Sequence, residues 1–562
     1  MKFRPSRLFV GSALSTLLLA ACGSGASSTS STSASSGSSS ATSNSGANQV
    51  LTMESSPTGP ITQSFNPFLN SSAASLLGAT SMIYEPLIQF DLANPTIQYP
   101  WLATSYQWNA NGTSITFTIR KGVKWSNGTP LTPADVAFTY QLVQNNADIN
   151  TGGLNITGVS TSGDQVTISF ATPQYTNLQS IANVYIVPKA IWSSVGDPGK
   201  YVDANPVGTG PYVLKTFTPE GLTLTKNTSY WQPVAVNTLS FPVYSSNTTA
   251  LEALQNNQAQ WAGNFITGLN KIYIAPSPST HHAWFAPLNT NSLMPNLNQW
   301  PTNQLAVRQA ISAAIDRNAI STQGESGLEP PVLNASGLVL PTFNAYNNSS
   351  LSQYNIDPNG SAQAADAILT KAGYTIGSDG YYQYQGKPVT ISIVDPAAYT
   401  DYAADDEIVA QDLQKAHINA TFNGLSVSAW SSDVASGNFQ LTMHWSGQGI
   451  TPYQLYEGWL DSKLATSQAS GDYERLNNPS IQSDLSTLAA ASTPAAQKAA
   501  LLPIEQYVAT QLPVIPTVYG AAFDEYNSQH FTGWPTPSNP YESGQPSAPT
   551  NEVVVLHLKP IG

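Results

Sequence analysis

Cysteine occurs once in the chain, at Cys22, so no intrachain disulfide can form. Charge is also scarce: Asp, Glu, Lys and Arg make up 9% of the residues, against about 25% in an ordinary soluble protein. Solubility must then rest on Ser, Thr, Asn and Gln. The balance is acidic, with 33 Asp and Glu against 20 Lys and Arg and a formal net charge of -13. Nucleic acid is therefore not an expected partner, because phosphate binding needs clustered basic residues. A sparse acidic charge set with a pI near 4.8 suits a place outside the cytoplasm, in acid surroundings. The six histidines lie at 281, 282, 417, 444, 530 and 557. His281 and His282 alone adjoin, and neighbours on a strand point to opposite faces, so no metal site is expected. There is no Gly-x-Ser-x-Gly elbow and no phosphate loop. Asp405-Asp406 and Asp524-Glu525 remain as conceivable glycosidase carboxylates, but both read as solvated surface pairs. No cofactor is implied and no catalyst is legible.

Long apolar runs are missing as well. The N-terminal run, residues 8–19, is too short for a good spanning helix. It follows Lys2, Arg4 and Arg7 and closes in Leu19-Ala20-Ala21-Cys22-Gly23, which resembles a bacterial lipobox. The resemblance implies a signal peptide over residues 1–21 and a diacylglycerol anchor on Cys22 that holds the protein at a membrane without spanning it. Residues 22–48 are nearly all Ser, Ala, Thr and Gly and read as a disordered tether. The 562 residues are too many for one core, so two or three domains are expected.

What the chain does have is organised around residues 205–231, NPVGTGPYVLKTFTPEGLTLTKNTSYW. Two glycines and two prolines set a tight turn, and the alternation of Leu222 and Leu224 with threonines predicts a hairpin across Pro219-Glu220-Gly221. Strands are also expected at 50–53, 115–119, 166–170, 285–289, 389–393, 437–445 and 553–558, with alternation or β-branched runs as the signal. Thr132-Pro133-Ala134-Asp135 starts a helix that presents Val136, Tyr140 and Val143 on one face. Helices are expected over 305–317, around 408–413, and over a stretch with Ala365, Ile368, Leu369 and Ala372 that stops at Gly373. Strands separated by helices indicate an α/β lobe.

The turn N-P-V-G-T-G-P-Y (205–212) with Asn227, Tyr230 and Trp231 resembles the family 5 extracytoplasmic solute-binding proteins. So do Tyr84-Glu85-Pro86-Leu87, Arg120-Lys121-Gly122-Val123-Lys124-Trp125-Ser126-Asn127-Gly128 and Val307-Arg308-Gln309-Ala310-Ile311 with Ala314-Ile315-Asp316-Arg317. The likeness covers nearly the whole chain after the tether. It implies a periplasmic-binding-protein-like α/β fold, class II with an extra small domain, and two lobes joined by hinge segments. On that reading lobe I comprises 49–90, 205–295 and 515–562, the small domain packed on it 91–204, and lobe II 296–514. The implied function is capture of a solute for an ABC permease by a monomer lipid-anchored on the extracytoplasmic face, without catalysis.

In that family the strand at 437–445 runs into the cleft, and peptide binders carry an Asp just after its Trp to pair with the ligand's α-amino group. Gly447, Gln448 and Gly449 stand there instead. A buried ammonium without a countercharge is costly, so a neutral oligosaccharide competes with an oligopeptide as ligand unless another carboxylate, Asp401 or Glu457, reaches the cleft. Gln448, Asn264 and Asn289 suit hydroxyl groups, and Trp445, Trp261 or Tyr453 suits a sugar face. Phe65, Asn66, Tyr84 and Phe265 complete the set of expected ligand contacts. A secreted hydrolase and a receptor that only reports its ligand are the alternatives.

Overall fold

In the central turn the two glycines are demanded by close approach of backbone. In the computed structural model, which describes residues 50–55, 58–340, 342–465 and 471–561, a Cβ on Gly208 would lie 1.7 Å from the Ile83 carbonyl oxygen and one on Gly210 2.5 Å from that of Met82. The Gly210 amide donates to Ile83 O at 2.9 Å, and Asn227 Nδ2 closes the turn onto Gly210 O, also at 2.9 Å. The expected hairpin follows. Tyr212–Thr218 and Gly221–Lys226 pair antiparallel. The signal peptide, lipidated Cys22 and tether expected from sequence lie outside the described residues.

This hairpin is the edge of a seven-stranded sheet. Val50–Glu54 runs through its middle, parallel to Thr238–Pro242 on one side and Trp261–Ala262 on the other. Glu525–Asn527, from the far end of the chain, fits antiparallel between Trp261–Ala262 and His281–Ala283. A four-stranded antiparallel sheet, in the order Ala103–Trp108, Ser114–Ile119, Gln165–Phe170, Ile156–Ser162, shares one apolar core with it. Ile115, Phe117, Ile119, Val166 and Ile168 point inward there, against Val136, Tyr140 and Val143 of the Pro133–Asn145 helix. That helix starts as its sequence dictates: Asp135 Oδ2 accepts from the Thr132 amide at 2.9 Å and the Thr132 hydroxyl at 2.7 Å.

The second lobe is built on a five-stranded sheet in the order Asn419–Leu425, Thr390–Pro396, Leu441–Trp445, Ala286–Pro295, Ile515–Ala522. Helices Leu305–Ala314, Ala362–Lys371 and Thr400–Lys415 cover it. The first of these stops short of the expected 305–317. Ile315 is extended, and the Asp316 side chain accepts from Ala319 N at 2.8 Å, capping a new short turn in place of the old helix.

Two further expectations are corrected. Residues 286–295 and 515–522, assigned by sequence to the first lobe, pair with each other and with the second sheet. Each continues almost directly into the seven-stranded sheet, so the chain crosses between lobes at residues 284–285 and 523–524. At the crossing Trp284 N donates to Asp524 O at 2.9 Å, and Phe285 packs edge-on against Phe523. Residues 553–558, read as a strand from their β-branched run, lie mostly in the helix Asn551–His557. Val553, Val554 and Val555 are all buried, so packing on every side overrides the preference of single residues.

Candidate functional site

Segments of both lobes converge on one cavity of about 1350 Å³. The first lobe contributes residues 263–267, just after the Trp261–Ala262 strand, together with 245–248 and 545–549. The second contributes Asn289 and Asn291 on the crossing strand, residues 398–402 at the start of a helix, and 445–448. Phe523 and Gly520 line it from the other crossing strand.

Of the ten residues expected to touch ligand, the cavity wall includes Asn264, Phe265, Asn289, Trp445 and Gln448. Trp445 ends its strand with 44% of its surface exposed. The two asparagines are nearly buried, and each leaves its amide oxygen Oδ1 without a partner. Asn264 donates Nδ2 to Glu54 Oε2 at 2.5 Å and accepts nothing at Oδ1. Asn289 Oδ1 lies over the neighbouring strand only because position 520 is glycine, where a Cβ would sit 1.8 Å from it. Buried acceptors of this kind are costly unless a donor arrives from outside.

The other five are not on the wall, and each has another partner. Phe65 is packed edge-on against Phe217. Asn66 Nδ2 donates to the carbonyls of Pro198 and Tyr201 at 2.8 and 2.7 Å. The Tyr84 hydroxyl donates to Asp203. Trp261 is 0% exposed, with Nε1 donating to Asp524 Oδ1 at 2.9 Å and Gly544 O at 2.7 Å. The Tyr453 hydroxyl donates to Glu457 Oε1 at 3.0 Å.

Of the positions where peptide binders would carry the acid, Gly447 cannot take one without rearrangement: a Cβ there would lie 2.2 Å from the Gln454 carbonyl oxygen, in the helix Pro452–Leu460. Of the two substitute carboxylates, Asp401 lies on the wall and Glu457 does not. Sequence reading missed a second acid, Glu329. It is buried, accepting from Asn291 Nδ2 at 2.6 Å and the Ala521 amide at 2.7 Å, and its carboxyl is pushed well above the usual range by burial and by Glu325 nearby. Asn291 was legible, since it lies two residues along the strand from Asn289 and so on the same face. Glu329, in a loop, carried no such signal.

The acidic pairs expected in solvent are fully buried, which overturns that expectation. On the Thr400–Lys415 helix, Asp405 lies near Glu325 and Asp406 near Asp395, and burial together with the neighbouring carboxyl pushes both aspartates well up. Asp524 and Glu525 are raised too, chiefly by burial; Asp524 is held by Trp261, and Glu525 accepts from the Asn264 amide at 3.1 Å. Among the described residues no group of three or more His, Cys, Asp or Glu is arranged to hold a metal ion.

Residues 98–466 match the family described as bacterial extracellular solute-binding proteins, family 5 Middle. The chain belongs to that family. It is an extracytoplasmic substrate-binding protein of an ABC importer, not an enzyme. The nickel-binding periplasmic protein of Escherichia coli K12 is 27% identical over 383 residues, 65% of this chain and 70% of that one. The dipeptide-binding protein of the same organism is 25% identical over 352 residues, 58% of this chain and 63% of that one. Among solved structures, the periplasmic oligopeptide-binding protein of an oligopeptide ABC transporter from Thermotoga maritima shares the two-lobed fold. Its TM-score is 0.82 at 24% identity, covering 91% of this chain and 99% of that one, and 0.80 in its mannohexaose-bound form.

Proposed function

We propose that this family member captures a neutral oligosaccharide in the cleft and delivers it, intact, to a permease. The observation that carries this reading is the exposed Trp445 ring in the wall; behind the wall surface Asn264 Oδ1 and Asn289 Oδ1 are buried without a donor and would take one if the side chains turned toward ligand. A flat aromatic face suits a sugar ring, and lone acceptors suit hydroxyl donors. No Lys, Arg or His lies on the wall among the described residues, so an anionic ligand has no counter-charge there. The volume of about 1350 Å³ exceeds the roughly 300–1,000 Å³ of single small-molecule sites and favours an oligomer. The solved relative bound to mannohexaose agrees with this chemistry.

An oligopeptide is the second reading, because Asp401 on the wall offers an α-amino group a partner. Ligand entry would close the lobes about the crossings at 284–285 and 523–524. The N-terminal signal and Cys22 suit a monomer tethered by lipid to the extracytoplasmic membrane face. Thermal-shift and calorimetric titration with mannohexaose, neutral di- to hexapeptides and Ni²⁺ separates the ligand classes. The saccharide reading expects a raised melting temperature with mannohexaose or a related oligosaccharide, and intact sugar afterwards. Stabilisation by peptides alone would replace it. Cys22→Ser is expected to move the protein from the membrane fraction to the soluble one, and an unchanged distribution would remove the lipid anchor.

A further inference from the structure

Trp445 is the most exposed aromatic group on the cleft wall, yet a free indole at a strand end would be a poor platform. Each rotamer-rich side chain ordered only on binding costs affinity, so a ring fixed in advance binds better. The chain supplies the fixing group from the adjacent position. The His444 ring centroid lies 3.8 Å from that of Trp445, tilted by 32°. On its other contacts His444 stacks on Trp430 at 5.4 Å, nearly parallel at 5°, and meets Tyr473 edge-on at 4.7 Å.

Every member of this stack is itself tied down. Trp430 Nε1 donates to Thr442 Oγ1 at 2.9 Å, and Thr442 donates to Asp395 Oδ2 at 3.1 Å. His444 Nδ1 lies 3.0 Å from the Trp445 carbonyl oxygen, which can only accept, so Nδ1 carries the proton. Nε2 then faces the Tyr473 hydroxyl, at 3.5 Å, as an acceptor. The imidazole is thus neutral, one ring nitrogen on a backbone carbonyl and the other on a phenol. Burial agrees with that assignment, holding its pKa down at about 4.

We propose that His444 is a positioning residue for ligand capture: wedged between Trp430 and Trp445, its ring holds the exposed indole in the orientation a ligand meets. The inference rests on the cleft being the ligand site, but its main test does not need a ligand. A tryptophan with the same sequence neighbours and no stacked support would be free to turn into the cavity. A histidine serving core packing alone would leave Trp445 ordered when removed.

The protein is labelled with 5-fluorotryptophan, and the Trp445 signal in the ¹⁹F spectrum is assigned by its loss in Trp445→Phe. In the wild type a single narrow resonance is expected. In His444→Ala it broadens or splits, and mannohexaose affinity falls about tenfold. His444→Phe, which restores a flat ring, recovers the narrow resonance and most of the affinity, and it serves if the alanine variant folds poorly. An unchanged Trp445 resonance in folded His444→Ala overturns the proposal, as does a Phe variant that is folded but fails to restore it. If the resonances respond as expected while mannohexaose binds neither form, the positioning role stands and the saccharide reading falls.

Discussion

At the scale of single residues, the cleft turns on a few groups left without a protein partner. Trp445→Ala removes the aromatic face and is expected to weaken ligand binding by more than about tenfold, a loss of roughly 1.4 kcal/mol, with the melting temperature nearly unchanged. Isothermal titration checks this, and equal affinity would take Trp445 out of the site. Gly520→Ala tests the paired amides of the crossing strand. The added Cβ meets the end of the Asn289 side chain at 1.8 Å and Asn291 Oδ1 at 2.8 Å, so both amides must swing away while the fold stands. Reduced affinity with a melting temperature within a few degrees of wild type is the expected result. The three tryptophans weighed together show what residue type alone conveys. Trp261, Trp430 and Trp445 look alike in sequence, and only the last reaches the cavity; Trp261 spends its indole nitrogen on Asp524 and a carbonyl, and Trp430 on Thr442.

At the scale of elements, local chemistry and tertiary packing can be separated. The 205–212 turn is set by contacts that no other residue type allows. Gly208→Ala would drive a Cβ into the Ile83 carbonyl, and backbone cannot yield as a side-chain tip does. A loss of about 3 kcal/mol or more in stability is expected from denaturant unfolding. A loss under about 1 kcal/mol would show that the turn relaxes. By contrast, 551–557 is a helix against its own β-branched composition. Asn551 anchors it, Nδ2 donating to Gly78 O at 2.7 Å and Pro546 O at 2.5 Å, and its valines meet the core on all sides. The unbroken apolar run Val553-Val554-Val555-Leu556 has no periodicity from which helix and strand can be told apart.

At the scale of the whole molecule, the unusual feature is where the few charges sit. Only three ion pairs occur among the described residues, each using an exposed lysine. The interior instead holds carboxyls close to one another. Tyr230 Oη lies 2.9 Å from Glu85 Oε1 and 3.0 Å from Glu552 Oε1, and its single proton serves one of them. The other contact is satisfied by a carboxylic proton. The two buried guanidiniums of the second lobe offer no relief, since Arg308 and Arg317 donate to backbone carbonyls and the Ser312 hydroxyl. Burial raises Glu54, Glu85, Asp395 and Glu457 to about 7, and Glu325 and Glu542 to about 8.

For such groups the folded state binds more protons than the unfolded one between the ordinary carboxylate value near 4 and the raised value. Stability then falls as pH rises through that window. Their full contribution is present in acid and is lost by about pH 8. Melting temperature is expected to fall steadily from pH 4 to pH 8, and Asp405→Asn to narrow that fall, because it removes an ionisable member of a buried pair. A maximum at neutral pH would refute both the sign and the expectation of acid surroundings.

Local structure and kinship are written in neighbouring residues. Turns, caps and alternating strands depend on residues close in the chain: the NPVGTGPY turn and the Thr132 cap formed where their residue types demanded, and the strand into Trp445 formed over Leu441–Trp445, the second half of the stretch expected. Where the lobes divide, which amides lose their partners and which acids lie in water were decided only in three dimensions. Asn264 and Glu54 are 210 residues apart when they bond, and Asp524 and Trp261 263 apart. Burial and hydrogen-bond partnership at such distances arise from packing between segments, which no local pattern encodes.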